Sequence, residues 1–257
     1  MQLSVIIPVL NEEGLMADFL IHLRRRVPGT EIIVADGGSD DGTCEIAAHL
    51  ADKIVRAPAG RGRQMNAGAA VAQGEVLWFL HADSRIPENA PESMVKALAD
   101  PGVAGGCFSL KIFPRRWIFW VRDAIGNLCV DLFGIALGDR GLFCRRSAFM
   151  AAGGYTTEPL FEDANLYREL RRVGATRRVS ATIRTSARRY EALGPLRTSL
   201  FYALIMLLYW GGLRRKTLET LVFRYAPGKR PVTSAHRGNS LHLILPHSTA
   251  LQLKPNP

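Results

Sequence analysis

Over its first hundred residues the chain alternates short, apolar, β-branched runs with stretches of helical periodicity, and few folds accommodate that alternation. Leu3 to Val9 and Glu31 to Ala35 have the composition of buried strands, and Val76 to Leu80 is expected as the fourth strand. Runs that are apolar on both sides of the pleat need cover on both faces, which a parallel sheet sandwiched by helices supplies. Leu15 to Leu23 places Leu15, Phe19, Leu20 and Leu23 on one helical face, and Thr43 to Leu50 and Met65 to Ala72 predict further helices. The pattern predicts an α/β fold with a mainly parallel sheet flanked by helices.

Beyond residue 100 the rhythm changes. Gly105 to Phe113 reads as a strand, Trp117 to Phe133 as an amphipathic stretch, and Gly141 to Cys144 as a short strand leading into a helix. Asp163 to Val173 predicts a helix with Arg168, Arg171 and Arg172 on its polar side. The most hydrophobic stretch, Leu200 to Leu213, is flanked by Arg197 and by Arg214, Arg215 and Lys216. It falls short of the roughly 18 to 20 apolar residues that span a bilayer. A core helix and an interfacial helix that suits anionic lipid are the two readings left. Ala226 to Pro257, rich in Pro, Ser, His and Asn, is expected to be a loosely held tail. The chain thus divides into a catalytic domain at 1–193, a hydrophobic and basic helical segment at 194–225 as a C-terminal appendage, and a flexible tail at 226–257.

Charge is distributed unevenly. Residues 1–100 carry 9 Lys and Arg against 14 Asp and Glu, whereas residues 101–257 carry 24 against 9. An acidic half can hold a metal, and a basic half can face phosphates or a lipid headgroup surface. Nucleic acid is not the expected partner, because the arginine clusters come without zinc-ligand spacing, a helix-turn-helix signature or an RNA-recognition aromatic motif. Cys44, Cys107, Cys129 and Cys144 form no CxxC pair and read as thiols of a reducing compartment. No basic, apolar leader opens the chain, so a cytoplasmic location is expected, with peripheral contact at the inner face of the membrane as a variant of it.

Several polar clusters fall where strands end. Asp36 follows the second strand, at the edge where open α/β sheets bind ligands. Asp40 and Asp41 are better read as caps for the helix that begins near Cys44. His81, Ala82 and Asp83 follow the fourth strand, and a period of two would turn His81 and Asp83 to one side. A carboxylate beside a diphosphate calls for a bridging cation, Mg²⁺ or Mn²⁺. Taken alone, the three residues read first as a turn Asp with a satisfied His. Glu162 and Asp163 open a helix, where the macrodipole also favours acids. Arg61, Arg63, Gln64 and Asn66 could meet phosphates and sugar hydroxyls, or form a solvated turn. Asp139, Arg140, Arg145 and Arg146 are candidates for an acceptor side.

The ordered series PVLNEE at Pro8 to Glu13, ADGGSDDGT at Ala35 to Thr43, GRGRQMNAGAAVAQGEVLWFLHAD at Gly60 to Asp83 and GGYTTEPLFED at Gly153 to Asp163 resembles family 2 glycosyltransferases of the GT-A fold. More narrowly it is similar to the subgroup labelled arsenosugar biosynthesis glycosyltransferases. The resemblance implies a nucleotide-diphospho-sugar transferase-like domain. Pro8, Asn11 and Glu12 would line the nucleoside, Asp36 would read the base, Asp83 would hold the metal on the donor diphosphate, and Asp163 would deprotonate the acceptor hydroxyl. Two positions depart from the family pattern. His81 replaces the first carboxylate of the metal motif, which leaves it to contact ribose or phosphate, and Gly37 stands where many relatives have a second Asp.

The implied function is transfer of a sugar, with inversion, from a nucleotide diphosphate sugar to the hydroxyl of a small molecule or a lipid. Two rivals remain. A nucleotidyltransferase would want a Gly- and Lys-rich loop after the first strand, where this chain is acidic, and a binding module would retain the nucleotide without turnover.

Overall fold

The computed structural model describes residues 1–136, 140–157, 160–225 and 242–244. In chain order it runs β1 (Leu3–Val9), α1 (Glu13–Arg26), β2 (Glu31–Asp36), α2 (Thr43–Leu50), β3 (Lys53–Arg56), α3 (Arg61–Val71) and β4 (Val76–Phe79). It continues with α4 (Ala90–Ala97), β5 (Val103–Phe113), α5 (Trp117–Phe133), β6 (Phe143–Arg145), α6 (Arg146–Ala151), α7 (Glu162–Val173) and β7 (Ala175–Ser186). It ends with α8 (Arg188–Leu193), α9 (Pro195–Trp210), α10 (Arg215–Tyr225) and β8 (His242–Ile244).

The strands form one sheet in the order β7-β5-β6-β4-β1-β2-β3-β8. β1 pairs in parallel with both β2 and β4, and β3 continues in parallel beyond β2. β6 runs antiparallel between β4 and β5, and β5 pairs in parallel with β7. The expected mainly parallel sheet is therefore present.

Strand alternation sorts the core into two layers. Val5, Ile7, Val9, Ile32, Val34, Trp78 and Leu80 pack in one cluster under α1, α2 and α4. Ile6, Ile33, Ala35, Leu77 and Phe79 pack in the other, with residues of α3, α6 and α7. On α1 the buried residues are Met16, Phe19, Leu20 and Leu23, with Leu15 only half-buried. The helical face is thus rotated by one residue from the expected one, because Met16 completes the i, i+3, i+4, i+7 stripe.

α3 begins at Arg61, four residues before the expected Met65. Its small residues let it lie almost against β1: a Cβ on Gly68 would stand 2.5 Å from Ile6 Cγ2.

No helix among the described residues is long and apolar enough to cross a membrane. α9 and α10 form their own small core from Ile205, Leu218 and Val222, packed against Leu160 and Phe161. Within the expected loose tail, His242–Ile244 pairs antiparallel with β3 and extends the sheet there. An unpaired edge strand offers free N–H and C=O groups to any extended segment in reach, which accounts for this departure. The rest of 226–257 lies outside the described residues.

Gly68→Val should lower stability by about 1 to 3 kcal/mol, the usual cost of forcing extra atoms into a packed contact. Urea denaturation followed by circular dichroism would measure it. A midpoint equal to that of the parent would mean that α3 is not pressed against β1.

Candidate active site

The site grows from the way β1 parts from its neighbours. In the β1–β4 ladder Ile6 faces Phe79, and the Leu80 amide donates to the Ile6 carbonyl at 3.0 Å. The next rung would need the amide hydrogen of Pro8, which proline lacks. Pairing stops, and residues 81–84 form a turn closed by the Ser84 amide donating to the His81 carbonyl at 3.0 Å. His81 and Asp83, both half-buried, thus sit in a turn at the strand end. The expected strand-like alternation of the pair does not hold, and β1 and β4 part at the point where the strand order reverses, which is where open α/β sheets form their ligand crevice.

On the other side of β1 the first two loops are knitted into one lip. The Asn11 amide donates to Ser39 Oγ at 3.0 Å, and Asn11 Oδ1 accepts from the Asp40 amide at 3.0 Å. Asn11 takes a φ of 54°, the left-handed region that asparagine tolerates better than most residues. The Glu12 amide donates to Thr43 Oγ1 at 2.9 Å, and the Glu13 amide to Asp41 Oδ2 at 3.2 Å. The N-cap of α2 is Gly42, so neither Asp40 nor Asp41 holds the expected cap position. Asp41 comes nearest, accepting the Thr43 amide at 3.0 Å.

Asp36 lies fully buried at the end of β2. Its Oδ1 accepts the Ser39 amide at 2.9 Å and its Oδ2 the Arg56 Nε at 3.2 Å. Burial works to raise its pKa, but the Ser39 and Arg56 hydrogen bonds outweigh that and hold the carboxyl below its ordinary value. The contacts seen are those of a turn and an ion pair. Arg56 escaped the sequence reading, although Asp36 and Arg56 end adjacent parallel strands in direct register.

The group on α3 divides by function. Gln64 is buried, and its Nε2 donates to the Val9 carbonyl at 2.7 Å and the Ala35 carbonyl at 2.9 Å. Its Oε1 accepts the Gly60 amide at 3.2 Å, so the expected donor contact gives way to a tie between α3, β1 and β2. Asn66 exchanges hydrogen bonds with the Tyr155 backbone, both at 2.8 Å, and so pins the loop before α7. Arg61 pairs with Glu162 at 2.5 Å, joining the N-termini of α3 and α7. Arg63 is exposed on the first turn of α3. A Cβ on Gly62 would stand 2.1 Å from the Thr156 carbonyl, so this approach admits only glycine.

Glu162 and Asp163 are buried at the start of α7. Phe161 just before them takes a φ of 61°, an uncommon conformation for a bulky residue. The Tyr155 ring packs 4.9 Å from that of Phe79, the last residue of β4, and its hydroxyl interacts with Asp163. Burial and then the charge of Asp163 push its pKa well above the ordinary phenol value. Tyr155 stands within the GGYTTEP segment, yet nothing in its sequence context marks it.

The acceptor-side candidates are not brought together. Asp139 lies outside the described residues. Arg140 is buried, with Nη1 donating to Asn127 Oδ1 at 2.7 Å, and anchors α5 instead of facing a ligand. Arg145 is in register with Val76, at the beginning of β4, and donates to the carbonyls of Leu98 and Val103. The Arg146 amide donates to the Glu75 carbonyl at 2.8 Å. Because β6 runs antiparallel, its last residues reach the opposite edge of the sheet, far from the crevice.

Among the described residues no group of three or more His, Cys, Asp or Glu side chains could hold a metal ion. His81 and Asp83 supply one imidazole and one carboxylate. That set fits a cation such as Mg²⁺, which takes most of its ligands from phosphate and water, and does not fit a cation caged by protein alone.

A family model described as glycosyl transferase family 2 matches residues 4–144. A beta-monoglucosyldiacylglycerol synthase of Trichormus variabilis is 24% identical over 185 residues, covering 63% of this chain and 40% of that protein. The protein of the same name in Synechocystis sp. is 25% identical over 187 residues, covering 64% and 39%. This chain therefore spans about two fifths of the length of the curated relatives it matches.

Among solved structures, the mannosyltransferase PcManGT from Pyrobaculum calidifontis, in complex with GDP-Man and Mn²⁺, superposes with a TM-score of 0.61 at 22% identity, covering 79% of this chain and 62% of that one. Glucosyl-3-phosphoglycerate synthase from Mycobacterium tuberculosis, in complex with Mn²⁺, uridine-diphosphate and glucosyl-3-phosphoglycerate, gives 0.60 at 19% identity, covering 83% and 81%. At these identities the likeness is one of fold, and the GT-A architecture implied by the sequence motifs is borne out. The matches do not bear on the arsenosugar subgroup.

The lowered Asp36 pKa makes a pH-dependent prediction. Its stabilising contribution is complete above the ordinary Asp value of about 3.9 and fades as pH falls through the lowered folded-state value. Asp36→Asn should therefore melt well below the parent at neutral pH, with the gap closing as the solution is acidified below about pH 4. Thermal melts across pH would test this, and a gap independent of pH would contradict the charged Asp36–Arg56 pair.

Proposed function

Since the chain belongs to the glycosyl transferase family 2, we propose that it moves a sugar from a nucleotide diphosphate sugar to an acceptor hydroxyl, with inversion at the anomeric carbon. One observation carries this reading. The Arg61–Glu162 pair and the Asn66–Tyr155 bonds tie the N-terminus of α7 to α3, at the same end of the sheet as the loops after β1, β2 and β4.

In this account Pro8, Asn11, Glu12 and Asp36 border the nucleoside. The first turn of α3, with Arg63 exposed on it, faces the phosphates, as a helix N-terminus with a guanidinium suits an anion. Asp83 would hold a divalent cation together with the donor phosphates, with His81 beside it. Such a cation would offset the charge of the departing diphosphate.

Asp163 is the general base. The acceptor oxygen bonds to the anomeric carbon from the side opposite the diphosphate, the bond from that carbon to the diphosphate oxygen breaks, and the acceptor proton passes to the Asp163 carboxylate. A positioned carboxylate contributes about 10²- to 10⁴-fold in such a step. Glu162, engaged by Arg61, is a positioning residue in this scheme.

The acceptor is a hydroxyl compound, either a small molecule or a lipid. A lipid is favoured by the name of the curated relatives, beta-monoglucosyldiacylglycerol synthase. A cytoplasmic protein peripheral at the inner face of the membrane fits a lipid acceptor and the cations near the two ends of α9, Arg197, Arg214 and Lys216. His81 in place of a carboxylate favours one rival, a module that binds the nucleotide without turnover.

Asp163→Asn should lower release of nucleoside diphosphate from the donor sugar by about 10²- to 10⁴-fold while leaving nucleotide binding within a few-fold. Turnover equal to the parent would remove Asp163 as base. A parent that binds nucleotide but releases none from any donor would support the binding module.

A further inference from the structure

α5 shows most of its apolar surface to the outside. An amphipathic helix on a sheet normally buries its apolar stripe and shows its polar side to water. Here Asp123 and Asn127 point inward: Asp123 Oδ2 accepts the Ile112 amide at 3.1 Å and Asn127 Oδ1 the Leu110 amide at 3.3 Å. These are amides of β5 beyond its last rung with β6, so the helix covers an open strand edge with its polar residues. Phe119 and Val130 are buried beside them, but most of its apolar residues are left outside. Trp117, Trp120, Ile125, Leu128 and Leu132 are each more than half exposed.

α9 repeats the arrangement. Leu196, Leu200, Leu204 and Leu207 follow one another at helical spacing on its outer side, again each more than half exposed, while Thr198 and Ile205 face inward. The two rows meet at their N-terminal ends, where Trp117 and Leu196 line one cleft of about 470 Å³ together with Arg116, Ile118 and Pro195. Contiguous apolar surface on this scale marks an interaction site.

Charge decides the occupant. Arg115 and Arg116 precede α5, Arg197 lies in the first turn of α9, and Arg214 and Lys216 follow it, all of them exposed. The acids nearby are engaged within the protein, Asp123 by Arg115, Asp131 by Arg178 and Glu191 near Arg116, so the cations in excess on this face are Arg197, Arg214 and Lys216. A second copy on this face would bring two cationic rims together, whereas anionic headgroups would neutralise them. Tryptophan at the end of an apolar row suits the headgroup boundary, and neither helix can cross the membrane.

We propose that α5 and α9 together form a docking face that lies in the plane of an anionic lipid bilayer, with Trp117 and Trp120 seated at the headgroup level. The proposal rests on the peripheral location given above and adds to it a second helix and a defined surface.

The test is flotation of the full chain with vesicles of phosphatidylcholine alone and of phosphatidylcholine mixed equally with phosphatidylglycerol. The parent should float with the anionic vesicles and not with the neutral ones. The α5 variant Trp117→Glu/Trp120→Glu and the α9 variant Leu200→Glu/Leu204→Glu should each bind at least tenfold less, with unchanged circular dichroism and unchanged nucleoside diphosphate release from a donor sugar in vesicle-free solution. If the α5 variant floats like the parent while the α9 variant does not, the two-helix face is wrong and the peripheral location survives. If the parent floats with neither vesicle, both fall, and the solution assay still reports on sugar transfer. A parent that elutes as a dimer, converted to a monomer by Trp117→Glu/Trp120→Glu, would assign the face to a second copy and overturn the proposal.

Discussion

β4 parts from β1 because one residue cannot make one hydrogen bond. Pro8 has no amide hydrogen to continue the β1–β4 ladder past Leu80, so β4 leaves the sheet into the His81–Asp83 turn while β1 continues beside β2 to Val9. On the β2 side the strands stay together, and buried Gln64 spends its amide on a carbonyl from each. One neighbour of β1 is released and the other is held. The turn after β4, the lip formed by residues 11–13 and 39–43, and the first turn of α3 thus lie together at the carboxyl end of the parallel strands.

Two further ties bring the late part of the chain to that end of the sheet. Asn66 holds the backbone at Tyr155, and Arg61 holds Glu162, so the N-terminus of α7, which carries Asp163, is brought beside the first turn of α3. Both ties start from α3, a helix that approaches β1 and the Thr156 carbonyl closely through Gly68 and Gly62. The small residues of α3 thus position residues nearly a hundred places later. From the other side Tyr209 of α9 packs on Phe161 with ring centroids 4.4 Å apart, and its hydroxyl donates to Asn165 Oδ1 at 3.2 Å. The C-terminal helices are therefore continuous with the start of α7.

The sheet was legible in the sequence because strands buried on both faces leave an unambiguous apolar record, as in Leu3 to Val9 and Val76 to Leu80. The buried face of α1 was legible to within one residue. Side-chain roles were less so, because residue type does not disclose the partner. Gln64 and Asn66 look the same in sequence whether they meet a sugar or a backbone carbonyl. Arg145 and Arg146 follow the motifs in order, but the reversal of β6 carries them to the wrong edge. The outward apolar face of α5 gave no periodic signal of its direction, since a stripe at helical spacing says that a face is apolar and not which way it looks. Asp36 and Arg56 could have been paired from sequence only once the register of β2 and β3 was known.

The central claim is that the residues at the carboxyl end of the parallel strands hold a nucleoside diphosphate together with a divalent cation at Asp83. Thermal denaturation of the parent and of Asp83→Ala, with UDP or GDP and with or without Mn²⁺, tests it most directly, since a ligand that binds only the folded state raises the melting temperature. The parent should be stabilised more by one nucleotide with Mn²⁺ than by either alone, and Asp83→Ala should lose that excess. Equal melting of the parent under all conditions, or an excess unaffected by Asp83→Ala, would contradict the account.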